Sequence, residues 1–210
     1  LNAVFAVTNG DPIFLKKAYD NQEVWGFQKD GPFNNPDELK KSFVFQKLEN
    51  QAAFAILHNL NDRLVGVMML SKDNPQNLSI QLDPPIIGPS SNGSKEQIEA
   101  CFLVIDRLFA YGYRRIQISI DSKDSPGSKL ADRLGFTAEG CLLKDQIVKE
   151  SSRDSNVYGM LNSDWDKGAR KVLYRNLYGA SMMKADAAYN QKEEELDEQQ
   201  RVIAEQEKKE

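Results

Sequence analysis

The sequence predicts an α/β (mixed α+β) domain in which strands and helices alternate along one chain. Ile116, Ile118 and Ile120 alternate as on a strand buried on one face. Lys129 to Gly135 then reads as a helix halted by a glycine, with Phe136 opening another strand. Upstream, Ile98, Cys101, Phe102, Ile105, Leu108 and Phe109 recur at three- and four-residue spacing, which gives a helix over Lys95–Ala110 one apolar stripe to lay on a sheet.

The remaining elements follow in order. Asp11–Asn21 predicts a short helix, with Pro12 suited to its first turn. Pro36 to about Leu48 predicts a second, with Asn35 as N-cap. Ala52–Leu57 and Leu64–Leu70 predict a hairpin around Asn61-Asp62-Arg63, and Leu78, Ile80 and Leu82 a third strand. Gly112 is expected to end the long helix, and a shorter one spans Ser128–Leu134. Strands are expected near Phe136–Lys149 and Ser155–Leu161, and a last helix from an N-cap at Ser163 to Tyr178.

With 210 residues the chain can bury a core, and 40% apolar and 28% charged residues are ordinary for a globular domain. Residues 1–178 are expected to form the domain and 179–210 a charged helical or frayed tail. The stretch Lys184–Glu210 holds five basic and nine acidic residues, and so the whole net charge of −4. Met182, Tyr189, Leu196 and Ile203 stand seven apart, but Lys192, Gln199 and Gln206 are polar, so the seam is one residue wide. A solvated helix and a helix that pairs with a partner or a second copy both fit this pattern. No basic patch points to nucleic acid and no apolar run to a membrane span. Cys101 and Cys141 are expected as buried free thiols in a reducing, cytoplasmic setting. With His58 the single histidine, neither a Ser-His-Asp triad nor a multi-histidine metal site is expected.

The order of short motifs carries more. Gly31-Pro32-Phe33, Leu64-Val65-Gly66-Val67, Glu99-Ala100, Gly112-Tyr113-Arg114-Arg115, Leu134-Gly135-Phe136 with Glu139-Gly140, Arg153-Asp154 and Asp164-Trp165 succeed one another over about two-thirds of the chain. In this order they resemble the GCN5-related N-acetyltransferase (GNAT) superfamily, and within it the RimJ/RimL-like branch. The resemblance implies a central, mostly antiparallel twisted sheet with one splayed pair of strands. It also implies acetyl-CoA as cosubstrate, no metal, and transfer of the acetyl group to a primary amine of a small molecule or protein N-terminus. The family's usual first strand is not evident; residues 1–9 are its remnant or an unrelated lead.

The same resemblance assigns candidate site residues. The third strand continues as Leu82-Asp83-Pro84-Pro85-Ile86-Ile87-Gly88. Its two prolines end regular pairing, and the amides of Ile86, Ile87 and Gly88 are candidates to hold the thioester carbonyl. Asn92, Gly93, Ser94 and Lys95 precede the long helix, where its unpaired amides would cradle the CoA pyrophosphate. The branch's Asp-x-x-Asn-x-x-Ser loop reads Asp121, Asp124 and Gly127 here, with Ser128 one place later. Asp83, Asp124 and Ser128 are therefore the catalytic candidates, and Asp124 also a CoA contact. Gln81 stands where relatives often place a glutamate base, and Ala131 at the position comparable to a tyrosine general acid. Trp25, Phe33 and Asp154 are the acceptor-side candidates, the aromatics serving equally well as packing anchors. These departures keep a second expectation open: a degenerate member that acts as a CoA-binding or partner-binding module through its C-terminal helix.

Overall fold

A computed structural model describes residues 3–6, 21–42, 50–58, 63–88 and 91–179. Residues 11–20 of the first expected helix, residues 43–48 of the second, the hairpin turn at 59–62 and the tail from Ser181 lie outside these residues. The chain divides into two units, Leu1–Arg170 and Lys171–Glu210. The first contains the sheet and the candidate site; of the second, residues 171–179 are described and are helical.

Among the described residues, seven strands build the first unit: β1 (Ala3–Ala6), β2 (Ala52–His58), β3 (Arg63–Asn74), β4 (Ser79–Ile87), β5 (Arg115–Asp121), β6 (Thr137–Val148) and β7 (Ser151–Leu161). Their spatial order is β1-β2-β3-β4-β5-β7-β6. Every neighbouring pair is antiparallel except β4–β5. Residues 3–6 thus supply a first strand, paired from Ala3↔Leu57 to Ala6↔Phe54.

Helices α1 (Gln22–Trp25), α2 (Pro36–Lys40), α3 (Lys95–Ala110) and α4 (Ser125–Leu134) complete the fold around the site. Asn35 caps α2 by accepting from the Asp37 and Glu38 amides. The apolar stripe of α3 buries Ile98, Cys101, Phe102 and Ile105, and that of α4 Leu130, Ala131 and Leu134. They share the core with Ile80 and Leu82 of β4 and Ile116, Ile118 and Ile120 of β5. Each such aliphatic side chain contributes about 1.5–3 kcal/mol by leaving water. Gly135 ends α4 at φ +84, and the Phe136 amide returns to the Ala131 carbonyl at 3.1 Å.

Four sequence expectations are corrected. Helix α4 starts three residues before Ser128, because Asp124 caps it and Pro126 fits its first turn. Strand β4 runs through both prolines to Ile87. The last helix opens at Asn162 without a side-chain cap; Ser163 is not the N-cap, and its amide donates to Asn162 Oδ1 at 2.9 Å. Cys101 is buried, its thiol pushed up to about 12 by desolvation, but Cys141 is exposed because β6 is an edge strand.

Glu139 acts within the sheet. It accepts from Arg115 Nη1 at 2.6 Å, and the guanidinium holds its carboxyl below the usual range. The pair lies over Gly159, where a Cβ would stand 2.3 Å from Glu139 Oε1.

Candidate functional site

Strands β4 and β5 stay in register for only three pairs, Ser79↔Arg115, Ile80↔Ile116 and Gln81↔Gln117. Both strands continue, but nothing pairs beyond Gln81, so the sheet opens as a wedge. The prolines sit at its edge. Val67 pairs with Ile86 and Met69 with Asp83, so Pro84 and Pro85 together face Met68 alone, in a β-bulge. A residue without an N–H is tolerated there because the ladder is already interrupted.

The bulge also sorts the three candidate amides. Gly88 donates to the Val65 carbonyl at 3.3 Å, so its amide is not free. Amides alternate in direction along an antiparallel ladder, which turns that of Ile86 toward β3 as well. The Ile87 amide faces the other way, into the wedge. Gly66, opposite Ile87, keeps the strands close: a Cβ there would lie 2.5 Å from the Ile86 carbonyl oxygen.

A cleft enclosing about 560 Å³ of non-protein space, part of it open solvent, lies against this edge. Its lining includes Pro84–Ile87 of β4 and Glu23 and Val24 of α1, with Phe27 and Gln28. Asn92 and Gln97 near the start of α3 and Asp124, Gly127 and Leu130 at α4 complete the lining. A groove beside it, sharing Asn92, Gln97, Pro126 and Leu130, continues to Gly93, Lys129 and Arg133.

This groove runs past the start of α3. Ser94 caps the helix, and Gln97 reaches back to accept from the Gly93 amide at 2.6 Å. Gly93, at φ +71, turns its carbonyl to Arg133 Nη1 at 2.9 Å. The exposed Lys95 is not among the lining residues; the cations there are Lys129 and Arg133. The sequence reading missed both. Their four-residue spacing on the polar side of α4 was the available signal.

Asp83 is half-buried on β4 and is not among the residues lining the cleft. Its Oδ1 accepts from Gln81 Nε2 at 2.6 Å and Ser71 Oγ at 3.0 Å. Burial raises its pKa above the ordinary 3.8, and these two hydrogen bonds pull part of the way back. Asp124 lines the cleft but also works as the α4 N-cap, accepting from the Gly127 amide at 2.9 Å. Burial raises its pKa too, and the charge of Asp121 adds to the rise. The two departures at this loop are linked, since a Cβ on Gly127 would lie 2.5 Å from Asp124 Oδ2. Ser128 is half-buried and does not line the cleft.

The acceptor-side candidates are dispersed. Trp25 is buried and packs edge-on against Phe33, with ring centroids 4.9 Å apart; neither lines the cleft, whereas Phe27 does. Asp154 Oδ1 accepts from the Lys144 amide at 2.8 Å across an irregular stretch of β6. Arg153 turns instead to Asp121, at 2.9 Å.

The open parallel pair, the bulge at the wedge and the helix start beside it decide the fold. It is that of the GCN5-related N-acetyltransferases. A GCN5-related N-acetyltransferase from Brucella melitensis superposes with a TM-score of 0.72 at 21% identity, covering 83% of this chain and 81% of that one. Spermidine N-acetyltransferase from Vibrio cholerae, in complex with CoA and spermine, gives 0.63 at 18% identity, over 78% of this chain and 97% of its own. Mycobacterium smegmatis RimJ, in complex with CoA-disulfide, gives 0.54 at 19%, over 60% of each chain. No protein-family model matches the sequence, and no curated protein sequence does. At these identities the GNAT likeness is one of fold.

Proposed function

We propose that this protein is an acetyl-CoA-dependent N-acetyltransferase acting on a primary amine of a small molecule or a protein N-terminus. The observation that carries the proposal is the β4–β5 wedge, with the Ile87 amide turned into it and the half-buried Asp83 carboxylate on the same strand. Acetyl-CoA supplies an acetyl thioester. In the wedge, the Ile87 N–H would stabilise the negative charge that develops on the carbonyl oxygen during attack. Lys129, Arg133 and the first amides of α3 would hold the phosphates at the adjoining groove. Asp83 would take the proton that frees the amine, and its raised pKa makes it a stronger base than an ordinary aspartate. Asp124 is assigned to the cleft wall and the α4 cap rather than to proton transfer.

Among the described residues no helix is long and apolar enough to cross a membrane. We place the protein in the cytoplasm on the sequence features above, and its assignment to the RimJ/RimL-like branch rests on the motif order. Pairing with a partner or a second copy is proposed for the C-terminal segment, which lies mostly outside the described residues.

One pair of observations favours a degenerate site. Gln97 occupies the Gly93 amide, and the Asp124 carboxylate would face an anionic ligand. Calorimetric titration with acetyl-CoA, with desulfo-CoA as control, decides between the two. Micromolar binding, followed by thiol release with spermidine or an N-terminal seryl peptide, is the expected result. Absence of binding up to millimolar concentration overturns the transferase assignment.

A further inference from the structure

Gln81 is 8% exposed, and its Oε1 atom is buried without a hydrogen-bond partner. Its carboxamide is not free to turn over: Nε2 donates to Asp83 Oδ1 at 2.6 Å, and a flipped group would set two acceptors against each other. Gln81 and Asp83 stand two residues apart on β4, so they share a face of the sheet. Gln81 is also the last β4 residue in register with β5, at the apex of the wedge. Both donors to Asp83, Gln81 and Ser71, bond the same oxygen. Among the described residues no group donates to Oδ2. The cations of Lys72 and Lys29 influence Asp83 less than these two bonds do.

A buried acceptor without a donor is costly, and Gln81 Oε1 is one; the half-buried Asp83 carboxylate on the same face of β4 offers a second oxygen with no donor. We propose that Gln81 Oε1 and Asp83 Oδ2 together seat the ammonium of the acceptor, so that Gln81 selects amines over alcohols. The proposal rests on the transferase assignment and adds to it a residue that cannot itself act as a base. An alkylammonium carries three N–H donors, enough to satisfy both oxygens at once. An alcohol has one and leaves Gln81 Oε1 unpaired. When one ammonium proton passes to Asp83, the carboxylate becomes a carboxyl and the amine lone pair is freed. The N–C bond to the acetyl carbon then forms as the C–S bond breaks. A second nitrogen proton goes to the departing thiolate, and Asp83 returns its proton to water.

The test uses the full chain labelled with ¹⁵N, titrated with butylammonium chloride against butanol and sodium chloride. The Gln81 side-chain NH2 signals are assigned by their loss in Gln81→Met. They are expected to shift with butylammonium alone. Ser71→Ala, which releases Asp83 without touching Gln81 Oε1, should keep that response. In turnover, Gln81→Met should raise the amine KM at least tenfold and leave the acetyl-CoA Kd within twofold. If Gln81→Met fails to fold, Gln81→Asn, whose carboxamide is withdrawn by one methylene, should give the same loss. A Gln81 signal that ignores butylammonium, or moves equally with butanol, overturns the proposal. The acetyl-CoA titration judges the transferase assignment separately, so the two failures are distinguishable.

Discussion

Gln81 and Gln117 form the last registered pair between β4 and β5, and every proposed catalytic group on β4 lies just beyond it. Asp83 follows two residues later, and the Ile87 amide after the proline bulge. A parallel pair that is held at one end and open at the other gives a rigid edge with unpaired amides, which a packed sheet lacks.

Asp83 sets the first prediction. The base must be ionised, and burial raises its pKa above 3.8, so the rate should fall as pH falls through that raised value. Asp83→Asn should lower kcat by about 10²–10⁴-fold, abolish that acid limb and leave acetyl-CoA affinity unchanged. For stability the sign is opposite. The folded chain holds this proton more tightly than the unfolded one, so the group's cost is present above the folded pKa and fades as pH falls through it. The variant should therefore lose little or no Tm at neutral pH, which thermal unfolding checks.

Gly66 tests the close approach at the wedge. A Cβ there meets the Ile86 carbonyl oxygen at 2.5 Å and the Ile87 Cα at 3.1 Å, both backbone atoms that yield only if the strands part. Gly66→Ala should cost about 1–3 kcal/mol in denaturant unfolding. It should also lower kcat more than it weakens acetyl-CoA binding, because it displaces the Ile87 amide.

Asp124 and Gly127 should behave as one unit. Asp124→Ala removes the α4 cap and should cost about 1 kcal/mol. Gly127→Ser should cost a similar amount by driving the carboxylate off its amide. In the double variant the second change should add little, a non-additivity that urea titrations of all four proteins would expose. Full additivity would show that the two positions are independent.

Arg133 tests the groove. Arg133→Ala should weaken acetyl-CoA binding about tenfold, the loss of one charge-assisted contact. Acetylpantetheine, which lacks the nucleotide phosphates, should bind the variant and the parent alike. The effect should shrink as salt rises.

The sequence alone determined what depends on neighbours along the chain. The apolar stripe marks α3 over Lys95–Ala110, the alternating isoleucines mark β5, and Gly135 marks the end of α4. Asn35 reads as a cap because a cap acts within three residues. The motif order was sufficient for the fold.

What only the tertiary structure decided depends on strand register and side-chain direction over long distances. The two prolines predicted an interruption, but the pairing with Val67 and Met69 determined which amide faces the wedge. Arg133 meets the Gly93 carbonyl across 40 residues, and Arg153 meets Asp121 across 32. Gln81 could be read as a lost base, but its orphaned oxygen emerges only when β3 and β5 close around β4. Periodicity shows which side of an element is apolar. It does not show which polar group will be left without a partner once the strands are packed.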